Sequence, residues 1–360
     1  MKKILKSYIE SIQPYEPGKP IDEAKRELGL QEIIKLASNE NPLGVSPLVK
    51  ERIIENIDTF NRYPDGGCWR LKKKLSQQLG VDSDEIIFGN GSNEIIEFIA
   101  KGFIEPGDEV ISSQYAFLVY PLLTKVCDGR YIEVAAKEYA YDLSAIAERI
   151  TKKTKVVFLA NPNNPTGTYF NNKDFDAFLA KVPDNVIVCL DEAYVDFVDA
   201  TDYPDGLDYY QRGNVVVLRT FSKASGLAGF RIGYGLATKE LICYFNKIRQ
   251  PFNVNAVAQC AAEAVLDDSP FINKTKYIVR GGKRFLYKAF DVYGLEYIKS
   301  QTNFILVNIK KDSRDIFNKC LQRGVVVRDM KAYGFDTYIR ITVGLPQENE
   351  KLVSILEELL

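Results

Sequence analysis

The sequence predicts an α/β protein, with a large, doubly wound, mainly parallel sheet and a smaller α+β unit. Three observations lead there. Short Val- and Ile-rich runs bounded by turn signals recur at residues 155–160 (KVVFLA), 186–190 (VIVCL) and 215–219 (VVVLR), the pattern of strands buried on both faces. Helical and strand-like stretches alternate from about residue 70 to residue 249. Beyond that point the alternation gives way to one long helical stretch, three strand-like runs and a final helix.

Taken in order, residues up to about 36 read as an arm, with Pro14, Pro17, Gly18 and Pro20, then a polar helical stretch at 22–28. Residues 39–44 (NENPLG) are a turn-rich entry into the larger unit. Residues 85–88 read as a strand and 92–103 as a helix. Further strands are expected at 109–112 and 131–135, then at the three apolar runs, with one more at 230–237. A helix near 239–249 follows. The C-terminal part reads as a helix at 270–290, strands at 304–308, 325–328 and 338–343, and a helix at 347–360. The expected division is an arm at 1–40 that packs with the small unit, a large unit at 41–249 and a small unit at 250–360. The sequence has no internal repeat and no low-complexity segment.

The 360 residues are 46% apolar and 26% charged, as in an ordinary globular protein. A formal net charge of −1 gives no global field for nucleic acid or an anionic membrane, so any anion site must be local. Six cysteines without CxxC spacing read as reduced thiols in a cytoplasmic enzyme. The first residues, MKKILKSYIESIQPYEPG, make a poor signal peptide. No run reaches the ~20 apolar residues of a membrane span. The absence of histidine excludes Ser–His–Asp and Cys–His systems and HExxH zinc sites, and no metal centre is expected. Proton transfer must fall to Lys, Asp, Glu, Tyr, Cys or a cofactor.

Three segments follow the three apolar runs: NPNNPTG at 161–167, DEAY at 191–194 and TFSK at 220–223, with Arg231 beyond. Ligands of open α/β sheets bind outside the carboxyl ends of the strands. An amide, a carboxylate, a phenol, a lysine and an arginine therefore point toward one crevice, a set that suits a pyridine cofactor with a phosphate tail. Lys223 is either a solvated surface lysine or a nucleophile, because a buried lysine is far more often neutral than a free one. Asp191 is either a helix cap or the partner of a protonated pyridine nitrogen. Glu192 reads as a helix cap or loop carboxylate, or as a structural ion-pair partner. Tyr194 is either core or a donor to the same ligand. Asn164, held before Pro165, is a better ligand candidate than Asn161 or Asn163. The GNGSNE turn at 89–94 either caps a helix through Ser92 or Asn93 or offers its amides to a phosphate. With Ser222 and Arg231 it completes a phosphate cup. Tyr115 either packs or stacks on the ring face. Arg328 and Arg340, inside strand-like runs, are either edge-strand charges or the receptors of an acidic substrate group.

The order GNGSNE, NPNNPTG, DEAY and TFSK…GFRIG resembles the fold-type I pyridoxal-phosphate aminotransferases over nearly the whole chain. Pro14–Tyr15, LASNENPLG at 36–44, RYPDGG at 62–67, TFSKASGLAGFRIGY at 220–234 and YIRITVG at 338–344 narrow it to the histidinol-phosphate aminotransferases. The resemblance implies pyridoxal 5'-phosphate bound covalently to Lys223. Asp191 would pair the pyridinium, and Tyr194 and Asn164 would hold the ring O3′. Ser92, Asn93, Thr220, Ser222 and Arg231 would bind the phosphate. Tyr63 would reach the cofactor phosphate of a partner subunit, so a homodimer is implied. Arg340 would take the substrate's acidic group, helped by Arg328, Tyr15 and Asn39. The implied reaction is ping-pong transamination of histidinol phosphate and 2-oxoglutarate to imidazole-acetol phosphate and glutamate, in histidine biosynthesis.

Ser225 stands where many relatives carry an aromatic residue, and Cys68–Trp69 where a smaller or tyrosyl pair is usual. These departures bear on substrate rather than cofactor. The rival readings are an aminotransferase for aromatic or other amino acids and a phosphoamino-acid decarboxylase on the same fold. A non-enzymatic regulator of this fold would need a DNA-binding domain before the LASNENPLG segment, and only about 35 residues without a basic patch precede it.

Overall fold

A computed structural model describes residues 32–360 together with Ile4, residues 6–12, Pro14, Lys25, Arg26 and Gly29. The helical stretch expected at 22–28 lies largely outside the described residues, and Tyr15 lies outside them altogether. In chain order the strands are β1 (Ile34–Lys35), β2 (Ile86–Gly89), β3 (Glu109–Ser113), β4 (Arg130–Val134), β5 (Thr154–Ala160), β6 (Ile187–Asp191), β7 (Val215–Thr220), β8 (Gly233–Leu236), β9 (Glu296–Tyr297), β10 (Phe304–Asn308), β11 (Val325–Val326), β12 (Arg328–Met330) and β13 (Phe335–Thr342).

The seven strands β2 to β8 form one sheet in the order β2-β8-β7-β6-β5-β3-β4. Only β8 runs against its neighbours, and the remaining pairings are parallel. Helices cover both faces, so every residue of β3 and β6 is buried. That double burial is why these strands read as continuous apolar runs rather than alternating ones. β4, at the edge, keeps Arg130 and Glu133 exposed, and such charges discourage pairing with another chain. The α/β class and the mainly parallel sheet are as the sequence predicts.

The second sheet is antiparallel, in the order β12-β13-β10-β9. Helix Ser269–Val292 packs on helix Pro346–Leu359, which also meets helix Ser313–Gln322. The run expected as one strand at 325–328 splits. Val325 and Val326 pair in parallel with β1, while Arg328 begins a pairing with β13. One apolar run thus serves two sheets. Helix Ala256–Val265 was not anticipated, and it packs against helix Pro47–Glu55. Its small side chains give close backbone approach but only weak periodicity.

Two large hydrophobic cores and two small satellite clusters result among the described residues. The first extends from Val49 to Phe271 around the seven-stranded sheet. The second gathers Val279, Leu286, Phe290, Phe304, Ile339 and Leu352. Tyr194, Phe197 and Ala224, on loops of the seven-stranded sheet, belong to the second core. The loops that carry the candidate site are therefore anchored on both sides.

Candidate active site

β5, β6 and β7 end side by side, with Ala160 paired to Asp191 and Asp191 paired to Leu218. This register brings the segments after residues 160, 191 and 220 to one edge. There they line a cleft of about 380 Å³ with residues 37–40, Gly91, Ser92, Asn93, Phe117, Arg231, Arg328, Tyr333 and Arg340. Asn39, Ser92, Asn93, Asn164, Asp191, Tyr194, Thr220, Ser222, Lys223, Arg231, Arg328 and Arg340 all meet in it.

One end of the cleft is built for an anion. Helix Ser92–Phe103 starts at Gly91 with no side-chain cap on its first amides, the arrangement that helix N-termini use to bind phosphate. Gly91 has φ +79, and a Cβ there would lie 2.5 Å from Arg231 Nη2, so the guanidinium rests against the glycine turn. Arg231 itself has φ +60, and its Nη1 donates to the Ala228 carbonyl at 3.1 Å. The Thr220 hydroxyl accepts from the Ser222 amide at 3.1 Å, which orders the loop beside it.

At the floor, the buried Asp191 accepts from the Tyr120 hydroxyl at 2.8 Å and from the Ala193 amide at 3.2 Å. Burial pushes its carboxyl above the ordinary range, while Tyr120, the Ala193 amide and the Lys223 charge pull it back. Behind it, Arg219 joins the fully buried Glu192 to Asp205 at 2.8 and 2.6 Å. Those charges hold Arg219 well above its usual value in spite of burial. The Tyr203 hydroxyl lies within hydrogen-bond distance of both Glu192 and the Asn161 carbonyl and shares its one proton between them, which ties this network to the NPNNPTG turn.

Lys223 Nζ donates to the Ser38 carbonyl at 3.4 Å and lies 5.5 Å from the centre of the Tyr194 ring. Burial and the nearby Arg340 and Arg231 charges lower it from 10.5 to about 8, against the opposing pull of Glu40 and Asp191. The Tyr194 hydroxyl accepts from Asn39 Nδ2 at 2.9 Å. Asn39 has φ +57, a region in which Asn is enriched. Its amide N–H donates to the Thr342 hydroxyl at 2.9 Å, and its carbonyl accepts from Asn303 at 3.1 Å. Burial raises the Tyr194 phenol, with Arg340 and Asn39 acting against it.

The opposite wall is cationic. Arg340 is buried, donates from Nη2 to the Ala37 carbonyl at 2.9 Å and from Nη1 to Asn164 Oδ1, and lies 5.1 Å from the centre of the Phe304 ring. Arg328 stands directly opposite it in the register of β12 and β13. A buried nucleophilic amine, a carboxylate floor, an anion cup and a pair of guanidinium groups suit a phosphorylated aldehyde and an acidic substrate.

The family profile described as aminotransferase class I and II matches residues 31–356. The chain belongs to the class I and II aminotransferases. Histidinol-phosphate aminotransferase of Moorella thermoacetica is 47% identical over 98% of this chain and 92% of its own length. Histidinol-phosphate aminotransferase 2 of Hydrogenovibrio crunogenus is 48% identical over 98% of this chain and 95% of its own. The crystal structure of histidinol-phosphate aminotransferase from Sinorhizobium meliloti in complex with pyridoxal-5'-phosphate superimposes with a TM-score of 0.91, at 26% identity, over 99% of this chain and 98% of that one.

Two expected residues of this aminotransferase stand apart from the cleft, and one of them, Tyr63, is expected in that of a partner subunit. Tyr115 does not line it, because its ring stacks on Phe335 at 4.3 Å in a cluster with Tyr139 and Tyr338. Tyr63 is 84% exposed, stacks on Phe252 at 5.0 Å and lines a different cleft. Tyr15 lies outside the described residues. The unusual Ser225, Cys68 and Trp69 do not line the cleft either. Sequence reasoning missed Phe117, which lines the aminotransferase cleft where Tyr115 was expected, and Tyr120 behind Asp191. Both lie just beyond Tyr115, and a turn that starts a helix one residue after Leu118 decides which ring faces in. Among the described residues no cluster of His, Cys, Asp and Glu could hold a metal ion, and no helix is long and apolar enough to cross a membrane.

Proposed function

We propose that the chain is a pyridoxal-phosphate-dependent aminotransferase that converts histidinol phosphate and 2-oxoglutarate to imidazole-acetol phosphate and glutamate, a step of histidine biosynthesis in the cytoplasm. The observation that carries this reading is Lys223, whose amine shares the cleft with Asp191, Arg231 and Arg340 and is kept readily neutral by its burial first and by the two guanidinium charges second. The names of the relatives supply the substrate.

The residues present fit the cofactor. Gly91 leaves room for the Arg231 guanidinium that a Cβ would fill, and the uncapped helix start lies beside it. Ser92, Asn93, Thr220, Ser222 and Arg231 would hold the phosphate, Asp191 the ring nitrogen, Tyr194 and Asn164 the ring hydroxyl, and Lys223 the aldehyde carbon. Phe117, rather than Tyr115, is the aromatic side chain that lines the cleft. When bound, the cofactor supplies an electrophilic carbon and an electron sink.

The chain's own groups do the rest. Neutral Lys223 would hold the cofactor's aldehyde carbon and, once freed by the incoming amine, would carry the substrate's Cα proton to the carbon it had held. With no histidine in the sequence, this lysine is the amine base among the cleft residues, which also include the Glu40 and Asp191 carboxylates. Asp191 keeps the proton on the ring nitrogen. Arg340 and Arg328 orient the acidic group of either substrate in turn. We further propose a homodimer, in which the exposed Tyr63 completes the cleft of a second copy.

Absorbance and rates test the reading. Purified protein with added cofactor should show a visible band that Lys223→Ala abolishes, and histidinol phosphate should be a better donor than phenylalanine or tyrosine. A colourless protein that gains nothing from the cofactor would sink it. Faster turnover of phenylalanine or tyrosine would shift the assignment to an aromatic aminotransferase, and carbon dioxide release from threonine phosphate to a decarboxylase.

A further inference from the structure

Tyr120 is fully buried on helix Val119–Val126, its ring parallel to that of Phe158 at 4.7 Å and edge-on to that of Phe117 at 5.8 Å. Its hydroxyl donates to Asp191 Oδ2. The Ala193 amide takes Oδ1. A buried carboxylate without such donors is costly to keep charged. The two donors occupy one site on each oxygen, and a carboxylate offers about four. About two acceptor sites remain for a donor from the cleft.

We propose that Tyr120 is a positioning residue for the transamination: its phenol fixes the plane of the Asp191 carboxylate, so that the remaining acceptor sites meet the protonated ring nitrogen of the cofactor. This rests on the reading of the cleft as a pyridoxal-phosphate site. The ring also stacks on Phe158, and Phe117 extends the same aromatic packing into the cleft. The other titratable groups that act on Asp191 are Tyr141, Tyr194, Cys189 and Lys223. Burial keeps the two phenols and the thiol neutral, and Lys223 is occupied in turn by the aldehyde and by the substrate's Cα proton. Tyr120 is thus the side-chain donor to Asp191 that stays in place throughout the reaction.

The test compares wild type, Tyr120→Phe and Phe158→Leu, each prepared as apoenzyme and titrated with pyridoxal 5'-phosphate. Y120F deletes one oxygen and keeps the ring. A hydrogen bond to a charged group is worth enough that cofactor affinity should fall by about tenfold or more. The visible band should also titrate at a different pH, and kcat should fall more than KM rises. F158L disturbs the stack and leaves the hydroxyl, so it should change thermal stability and leave the band's pH midpoint in place. If Y120F matches wild type in affinity, band and kcat, the proposal is overturned and the reading of the cleft stands. If F158L shifts the band as far as Y120F, or if Y120F does not fold, Tyr120 serves packing and the proposal also falls. If wild-type protein takes up no cofactor, the reading itself is wrong.

Discussion

Arg328 and Arg340 face each other across the β12–β13 pair, with both side chains lining the cleft. Like charges opposed on neighbouring strands repel, and an anion between them relieves the repulsion. Arg340 is further fixed by Asn164, the Ala37 carbonyl and the Phe304 ring, so its fork is preorganised. Arg340→Lys keeps the charge and loses the fork. At about 1.5–3 kcal/mol for charged hydrogen bonds, kcat/KM for histidinol phosphate should fall about 10- to 150-fold, mainly through KM. Steady-state kinetics with R340K and R328K would measure it, and an unchanged KM in R340K would remove Arg340 from substrate binding.

The lowered Lys223 predicts how the apoenzyme captures its cofactor. The neutral amine is the nucleophile, so the capture rate should rise tenfold per pH unit below about 8 and level off above it. Stopped-flow absorbance across pH 6–10 is the measurement, and a rate still climbing at pH 10 would contradict the lowered value.

The same group affects stability. Its folded value, about 8, lies below the ordinary 10.5, so between those limits the unfolded chain binds the proton more tightly. Stability from this group therefore rises with pH across that window and is at its lowest below about 8. Lys223→Met should make the apoenzyme more stable than wild type at pH 7, and the gain should vanish above pH 10.5. Urea unfolding at the two pH values would show it.

Gly91 combines φ +79 with a Cβ position 2.5 Å from Arg231 Nη2. Gly91→Ala must strain the backbone, at about 1–3 kcal/mol, and push the guanidinium out of the anion cup. Its apoenzyme should melt lower and hold pyridoxal 5'-phosphate far more weakly, while Lys223 still reacts with a simple aldehyde lacking phosphate. Equal losses toward both aldehydes would place the damage outside the cup.

Glu192 and Arg219 form an ion pair with little solvent access. Removing one partner of a buried pair costs about 3–5 kcal/mol. Glu192→Gln keeps the shape and should fall near the low end, read as a shift in the urea midpoint. A change below about 0.5 kcal/mol, the size usual for surface substitutions, would mean that Asp205 alone satisfies Arg219.

The main sheet and most cleft residues were legible because each buried strand writes a continuous apolar run and each run ends at the site. Lys223, Asp191 and Arg231 could be placed from that rule alone. The aromatic beside them could not. Tyr115 and Phe117 are two apart, but they lie in a turn between β3 and the next helix, where neither strand nor helix periodicity fixes direction. Tyr120 was invisible for another reason: its partner Asp191 is 71 residues further along, and a phenol inside VYPLL reads as ordinary core. β1 was missed because two residues carry no pattern, and its pairing with β11 is set by the second core.

The bonding of Asn39 has a kinetic corollary. Its amide, its carbonyl and its side chain are tied to three separate stretches of chain: Thr342, Asn303 and Tyr194. Residues 37–39 behave as a seam whose densest stitching is at Asn39, with Arg340 and Lys223 holding the Ala37 and Ser38 carbonyls beside it. Opening it strips Tyr194 of its partner at the moment it exposes Lys223's neighbour Ser38. Amide hydrogen exchange at Asn39 should therefore keep step with exchange in the loop after β6, so that one slow opening event governs both.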